Sequence, residues 1–155
     1  MFNVDKILCP TDFSEPSKKA LEAALELSSQ NSAELVLVHV VPPLPVSALS
    51  TETSDKDQTE PVVIDEIWKE ARKNMNRMIR NYVPDHIKHR SKLVPGDPAD
   101  EIVHMVDVEG IDMIVMATAG VSGWRRLLFG SVAEKVVRSA ECPVLTIRKP
   151  KDEID

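Results

Sequence analysis

The stretch at residues 34–41, ELVLVHVV, constrains the fold more than any other part of the chain. Only Glu34 and His39 interrupt its aliphatic side chains, so it has no polar face to turn toward water. It is far shorter than the roughly 18 apolar residues of a membrane span, and it fits a strand covered on both faces in a parallel sheet. A second nearly continuous run, DMIVMA at 112–117, is of the same kind. KILCP at 6–10, the amphipathic IKHRSKLV at 87–94 and PVLTIRK at 143–149 complete a set of five. The last alternates, with Val144, Thr146 and Arg148 opposite Leu145 and Ile147, which suits an edge or partner-facing strand.

Helical periodicity fills the gaps between these runs. Ala20, Leu21, Ala24, Leu25 and Ser28 form one stripe, and a longer one runs from Ile64 through Trp68, Met75 and Met78 to Tyr82. Ala99, Ile102, Val103 and Val106 form a third, and Val132, Val136, Val137 and Ala140 a fourth. Start signals agree: Ser14 precedes Glu15 and Pro16, while Asp97 precedes Pro98, Asp100 and Glu101. Strands and helices thus alternate, which predicts an α/β fold with a parallel five-stranded sheet, right-handed crossovers and helices on both faces. Such sheets bind ligands beyond the carboxyl ends of their strands, where strand order reverses.

At 155 residues the chain has the length of one domain, expected over 1–150 with a tail at 151–155. Residues 42–61, PPLPVSALSTETSDKDQTEP, lack a sustained period and are expected to form a long mobile loop. The net charge of −6 argues against broad contact with nucleic acid. No apolar run is long enough for a membrane helix, and the opening MFNVDKILCP lacks the pattern of a signal peptide. The two cysteines, Cys9 and Cys142, form no C-x-x-C pair, so a reducing cytoplasm is the expected compartment.

Chemistry gathers at two places. The stretch 117–137, ATAGVSGWRRLLFGSVAEKVV, holds Gly120, Gly123 and Gly130 between a strand and a helix, with Arg125 and Arg126 in the intervening loop. Backbone amides at such a turn and helix start can cradle an anion. Ser131 can cap the helix or give its hydroxyl to a phosphate. Spacing alone leaves a phosphate cradle and a simple turn both open. The other place is PTDFS at 10–14, where Asp12 suits either a ribose contact or helix-entry capping. The chain has no Walker-type P-loop, no G-x-G-x-x-G after a strand and no nucleophile elbow. His86 and His89 lack a clear third metal ligand, His39 reads as structural, and His104 reads as a surface residue.

Taken in order, ILCPTDFSEPSKKAL, LVLVHVV, GDPADEIV and GSVAEKVVRSAECPVLTIR resemble the universal stress protein family nearly end to end. The resemblance implies a Rossmann-like sheet of the adenine nucleotide α-hydrolase type, with strand order 3-2-1-4-5. Gly120, nine intervening residues, Gly130 and Ser131 match the G-x2-G-x9-G-[ST] pattern of the family's nucleotide-binding branch, with Ala117 at its first glycine. Alanine there is tolerated at negative φ and costly at positive φ. Ala119 stands where a histidine is common, a peripheral departure.

By that resemblance Pro10, Thr11 and Asp12 border an adenosine, with Asp12 as the polar contact, and the backbone of Val40 meets the adenine. Met116 and Ala117 line the approach to sugar and phosphate. Gly120, Gly130, Ser131 and Val132 hold phosphates through amides and the hydroxyl. The implied ligand is ATP, or ADP or AMP, with Mg²⁺ or Mn²⁺ bridging phosphate oxygens. A homodimer through Val144–Arg148 is implied as well. The expected function is a nucleotide-dependent module of the stress response. The alternatives are a weak ATPase or phosphate-transfer enzyme, for which no general base is marked, and a nucleotide-free regulatory dimer.

Overall fold

The computed structural model describes residues 2–44, 56–119 and 130–148, and for 56–62 the backbone alone. Its elements run β1 (Lys6–Pro10), α1 (Glu15–Asn31), β2 (Glu34–Val41), α2 (Lys56–Tyr82), β3 (His89–Pro95), α3 (Pro98–Glu109), β4 (Met113–Ala117), α4 (Ser131–Ser139) and β5 (Val144–Ile147). The strands form one parallel sheet in the order β3-β2-β1-β4-β5, as the resemblance implies.

Strand alternation sorts the core into two layers. Ile7, Cys9, Leu35, Leu37 and Val115 face α1 and α2, where Leu21, Ala24, Met75 and Met78 cover them. Leu8, Val36, Val38, Ile114 and Met116 face α3 and α4, under Ile102, Met105, Ala133 and Val136. The apolar run 34–41 is therefore buried on both sides, apart from the half-buried His39. Its place in the sheet follows from its lack of a polar face.

Both expected caps form. Ser14 accepts from the Ser17 amide at the start of α1, and Asp97 accepts from the Asp100 amide at the start of α3. Three expectations need correction. Residues 56–61, expected to be loop, are the first turns of α2. They have no apolar stripe in the sequence to reveal them. Val137 is 46% exposed, and α4 buries Ala133 with Val136 instead. Ile64 and Tyr82, at the two ends of the α2 stripe, are also exposed. Residues 45–55 of that segment lie outside the described residues, as does the 151–155 tail.

Candidate functional site

Strand order reverses at β1, which is followed in sequence by β2 on one side and paired with β4 on the other. The two central strands stay paired only through Ile7↔Met113 and Leu8↔Ile114, although β1 runs to Pro10 and β4 to Ala117. Backbone phase supplies the reason. Thr11 donates its amide to the Val38 carbonyl on the β2 side at 2.8 Å, so Pro10 faces β4. The next rung would need an amide hydrogen at Pro10, which proline lacks. Pro10 thus ends the ladder at the switch point.

The chain then turns through residues 11–14. Thr11 is buried, its hydroxyl 3.0 Å from the Ser17 hydroxyl, and the same oxygen accepts the Phe13 amide at 3.0 Å. Its side chain is therefore a structural tie, and Thr11 meets the rim only through its backbone. Asp12 is half-buried, and its Oδ1 accepts the Ser14 amide at 3.0 Å as well as the Ser14 hydroxyl. The helix-entry role read from sequence is realised, and it fixes the Asp12 carboxylate at the carboxyl end of β1. Phe13 adopts φ +64°, a left-handed conformation uncommon for a bulky residue.

Val40 completes the β2 side. Glu34 donates to the Asp5 carbonyl and Val38 accepts from Thr11, so even-numbered residues of β2 face β1. The Val40 N–H and C=O point the same way, beyond Pro10, where β1 has already ended. Its side chain is buried with Val38 and Met116.

On the far side of the parting, Ala117 is not among the described residues with positive φ, so its methyl group carries no left-handed strain. Met116 belongs to the core rather than to the rim. It is buried in the layer under α3 and α4, and in phase with Thr118, whose amide bonds Ile147, its backbone faces β5. Gly130 caps α4 at φ −70°, again without left-handed strain. Close approach favours glycine there, since a Cβ would lie 3.2 Å from the Thr118 carbonyl oxygen, which would have to give by a few tenths of an ångström. That oxygen already accepts the Gly130 amide. The expectation that this amide grips phosphate is corrected, because a donor committed to Thr118 is not offered outward.

Gly130 also carries no side chain to cap α4, and the structure records no side chain among the described residues as its cap. Ser131 is the first helical residue and not the cap, so the two roles read for its hydroxyl no longer compete. The amides of Ser131, Val132 and Ala133 are the orphan donors of a helix start, at its positive dipole end. This arrangement suits an anion. Gly120, Gly123, Arg125 and Arg126 lie outside the described residues.

The remaining chemistry stands apart. Burial raises the Cys9 thiol to about 12, and burial also raises that of Cys142, so neither offers a ready thiolate. Among the described residues no group of three His, Cys, Asp or Glu side chains could hold a metal ion. His86 and His104 are exposed, and the Nδ1 of His89 bonds the Ile87 carbonyl. An open groove of about 460 Å³ lies among Lys69, Arg72, Lys73, Asn76, Arg77 and Arg80 on the outer face of α2. Sequence reading missed two features of the rim: the ladder-ending phase of Pro10, and the bond from His39 Nδ1 to the Thr11 carbonyl at 2.8 Å. Both depend on which way a backbone group points, which composition and spacing do not encode.

A model of the Universal stress protein family matches residues 3–148. The chain is 36% identical over 148 residues to the universal stress protein MJ0531 of Methanocaldococcus jannaschii, covering 96% of this chain and 84% of that protein. It is 32% identical over 152 residues to the universal stress protein YxiE of Bacillus subtilis, covering 96% of this chain and all of that one. Among solved structures, that of M. jannaschii MJ0577 superposes with a TM-score of 0.82 at 28% identity, covering 96% of this chain and 98% of that chain.

Proposed function

Because the chain belongs to the universal stress protein family, we propose that it is a nucleotide-binding regulatory module of the stress response, holding ATP at the parting of β1 and β4. The observation that carries this reading is convergence. The start of α4, with glycine as its N-cap residue, hangs from the end of β4 through the Gly130–Thr118 bond, beside the split that Pro10 makes in the sheet. A helix start, of the kind that suits anions, thus lies near the switch point of the sheet, where ligands of such folds bind.

The residues there suit a nucleotide. The backbone of Val40 offers polar groups for the base, Asp12 offers a carboxylate for the ribose, and the first turn of α4 offers amides with the Ser131 hydroxyl for phosphates. Pro10, Ala117 and Val132 border the same space, and Gly120 lies in the sequence between β4 and α4, outside the described residues. ADP or AMP would use the same base and ribose contacts with fewer phosphate bonds. Any Mg²⁺ or Mn²⁺ would be held by phosphate oxygens, since no metal cluster is present among the described residues. Bound ATP supplies occupancy as a signal rather than a reaction, and the proposed setting is the cytoplasm.

Calorimetric titration with ATP, beside native mass spectrometry of the purified protein, tests the reading. Gly130→Val should lower ATP affinity at least tenfold while far-UV circular dichroism stays unchanged, because the added carbons press on the Thr118 carbonyl and push α4 away. Equal affinity in the folded variant would misplace the site. Absence of both heat and nucleotide mass in the parent would leave a nucleotide-free scaffold.

A further inference from the structure

We infer that His39 is a positioning residue that keeps the backbone of Val40 open to a ligand; this rests on the nucleotide reading of the rim. The rungs between β1 and β2 follow a strict order. Glu34 donates to Asp5, and Thr11 donates to Val38, both at 2.8 Å. In a parallel ladder the next rung would run from the Val40 amide to the Thr11 carbonyl. That bond is not made.

The Thr11 carbonyl is instead taken by His39, whose Nδ1 lies 2.8 Å away. A carbonyl only accepts, so Nδ1 carries the hydrogen in this contact. The imidazole is steadied by Phe13, with ring centroids 4.4 Å apart at a tilt of 38°. Phe13 in turn holds its left-handed φ with its amide bound to the Thr11 hydroxyl. A side chain on β2 thus occupies the acceptor that would otherwise consume the amide of its own neighbour. Val40 keeps an N–H and a C=O side by side at the rim.

That pair has a chemical consequence. Adenine presents an acceptor at N1 beside a donor at its N6 amino group, whereas guanine presents a donor at N1 beside an acceptor at O6. An N–H next to a C=O on one strand edge complements adenine and opposes guanine. By protecting that pair, His39 acts on base selectivity without touching the base.

Amide hydrogen exchange by NMR on the nucleotide-free protein tests this directly. In the parent the Val40 amide should exchange as an unpaired group. In His39→Phe, which keeps an aromatic ring against Phe13 but loses the donor, the Thr11 carbonyl is released. Val40 should then become protected, and ATP affinity should fall about tenfold, the weight of one backbone hydrogen bond. The preference for ATP over GTP should shrink with it. His39→Asn, whose side-chain amide can replace Nδ1–H, should restore parental exchange and affinity. A Val40 amide already protected in the parent overturns the inference, whether or not either variant folds. So does a drop in ATP affinity with Val40 exchange unchanged. If the parent binds no ATP yet His39→Phe still protects Val40, the positioning role stands and the nucleotide reading fails.

Discussion

Ser28 is buried to 1% exposure in α1, and its hydroxyl is the only buried side-chain polar atom without a hydrogen-bond partner among the described residues. An unsatisfied buried donor costs free energy that a methyl group does not. Ser28→Ala is therefore expected to raise stability by about 1 kcal/mol, read as a higher urea midpoint with an unchanged slope. An unchanged or lower midpoint would mean that the hydroxyl finds a partner in solution. At this scale the sequence was legible where a side chain acts locally, as the caps Ser14 and Asp97 do. It was illegible where a residue acts through its backbone. Gly130 matched the spacing for a phosphate donor, yet its amide is spent on Thr118 and its value lies in the carbon it lacks.

Among the elements, β3 is an edge strand whose first residues, from His89 to Ser91, are exposed. An ion network anchors that end. Glu34, buried at the start of β2, accepts from Arg90 Nε at 2.6 Å and pairs with Lys88 at 3.4 Å. Arg90 also reaches Glu109 at the end of α3 at 2.9 Å, and Lys92 binds the same carboxylate. Hydrogen bonding from Arg90 holds the Glu34 carboxyl below its ordinary range, and Lys92 with Arg90 does the same for Glu109. A carboxyl lowered in the folded state contributes stability that is present above the unfolded value, about 4.3, and lost as pH falls through the lower folded value. Arg90→Gln should lower stability at pH 7 by about 1 kcal/mol, a figure discounted for the solvent reaching Arg90, and flatten the loss below about pH 4. Denaturation curves from pH 2 to 7 would show it, and a variant matching the parent at pH 7 would show that β3 is held without the network. The strands themselves were legible because burial on two faces leaves an unbroken apolar run. The start of α2 was not, because residues 56–61 are polar and proline-bearing and form a helix without an apolar stripe.

For the whole molecule, β5 leaves one side of the sheet unpaired among the described residues, with Leu145 40% exposed. The Ile147 carbonyl accepts from Thr118 and the Pro143 carbonyl from Ile114, so odd-numbered positions face β4 and Thr146 turns its N–H outward. If two copies join through Val144–Arg148, Thr146→Pro removes an outward donor and spares the rungs to β4. Sedimentation should find a dimeric parent and a monomeric variant; a variant that stays dimeric places the interface elsewhere. The five strands, their order and this edge all follow from alternation and family resemblance.

The parting at Pro10 has a mechanical side as well. The least-stitched seam of this sheet runs down its middle, with two residue pairs joining β1 to β4 while seven join β2 to β3 at the rim. Helix α1, which touches β1 and β2 on one bank and β4 and β5 on the other, is the brace across that seam. A molecule lodged at its open end would be a second brace, gripping both banks where the backbone leaves them unsewn.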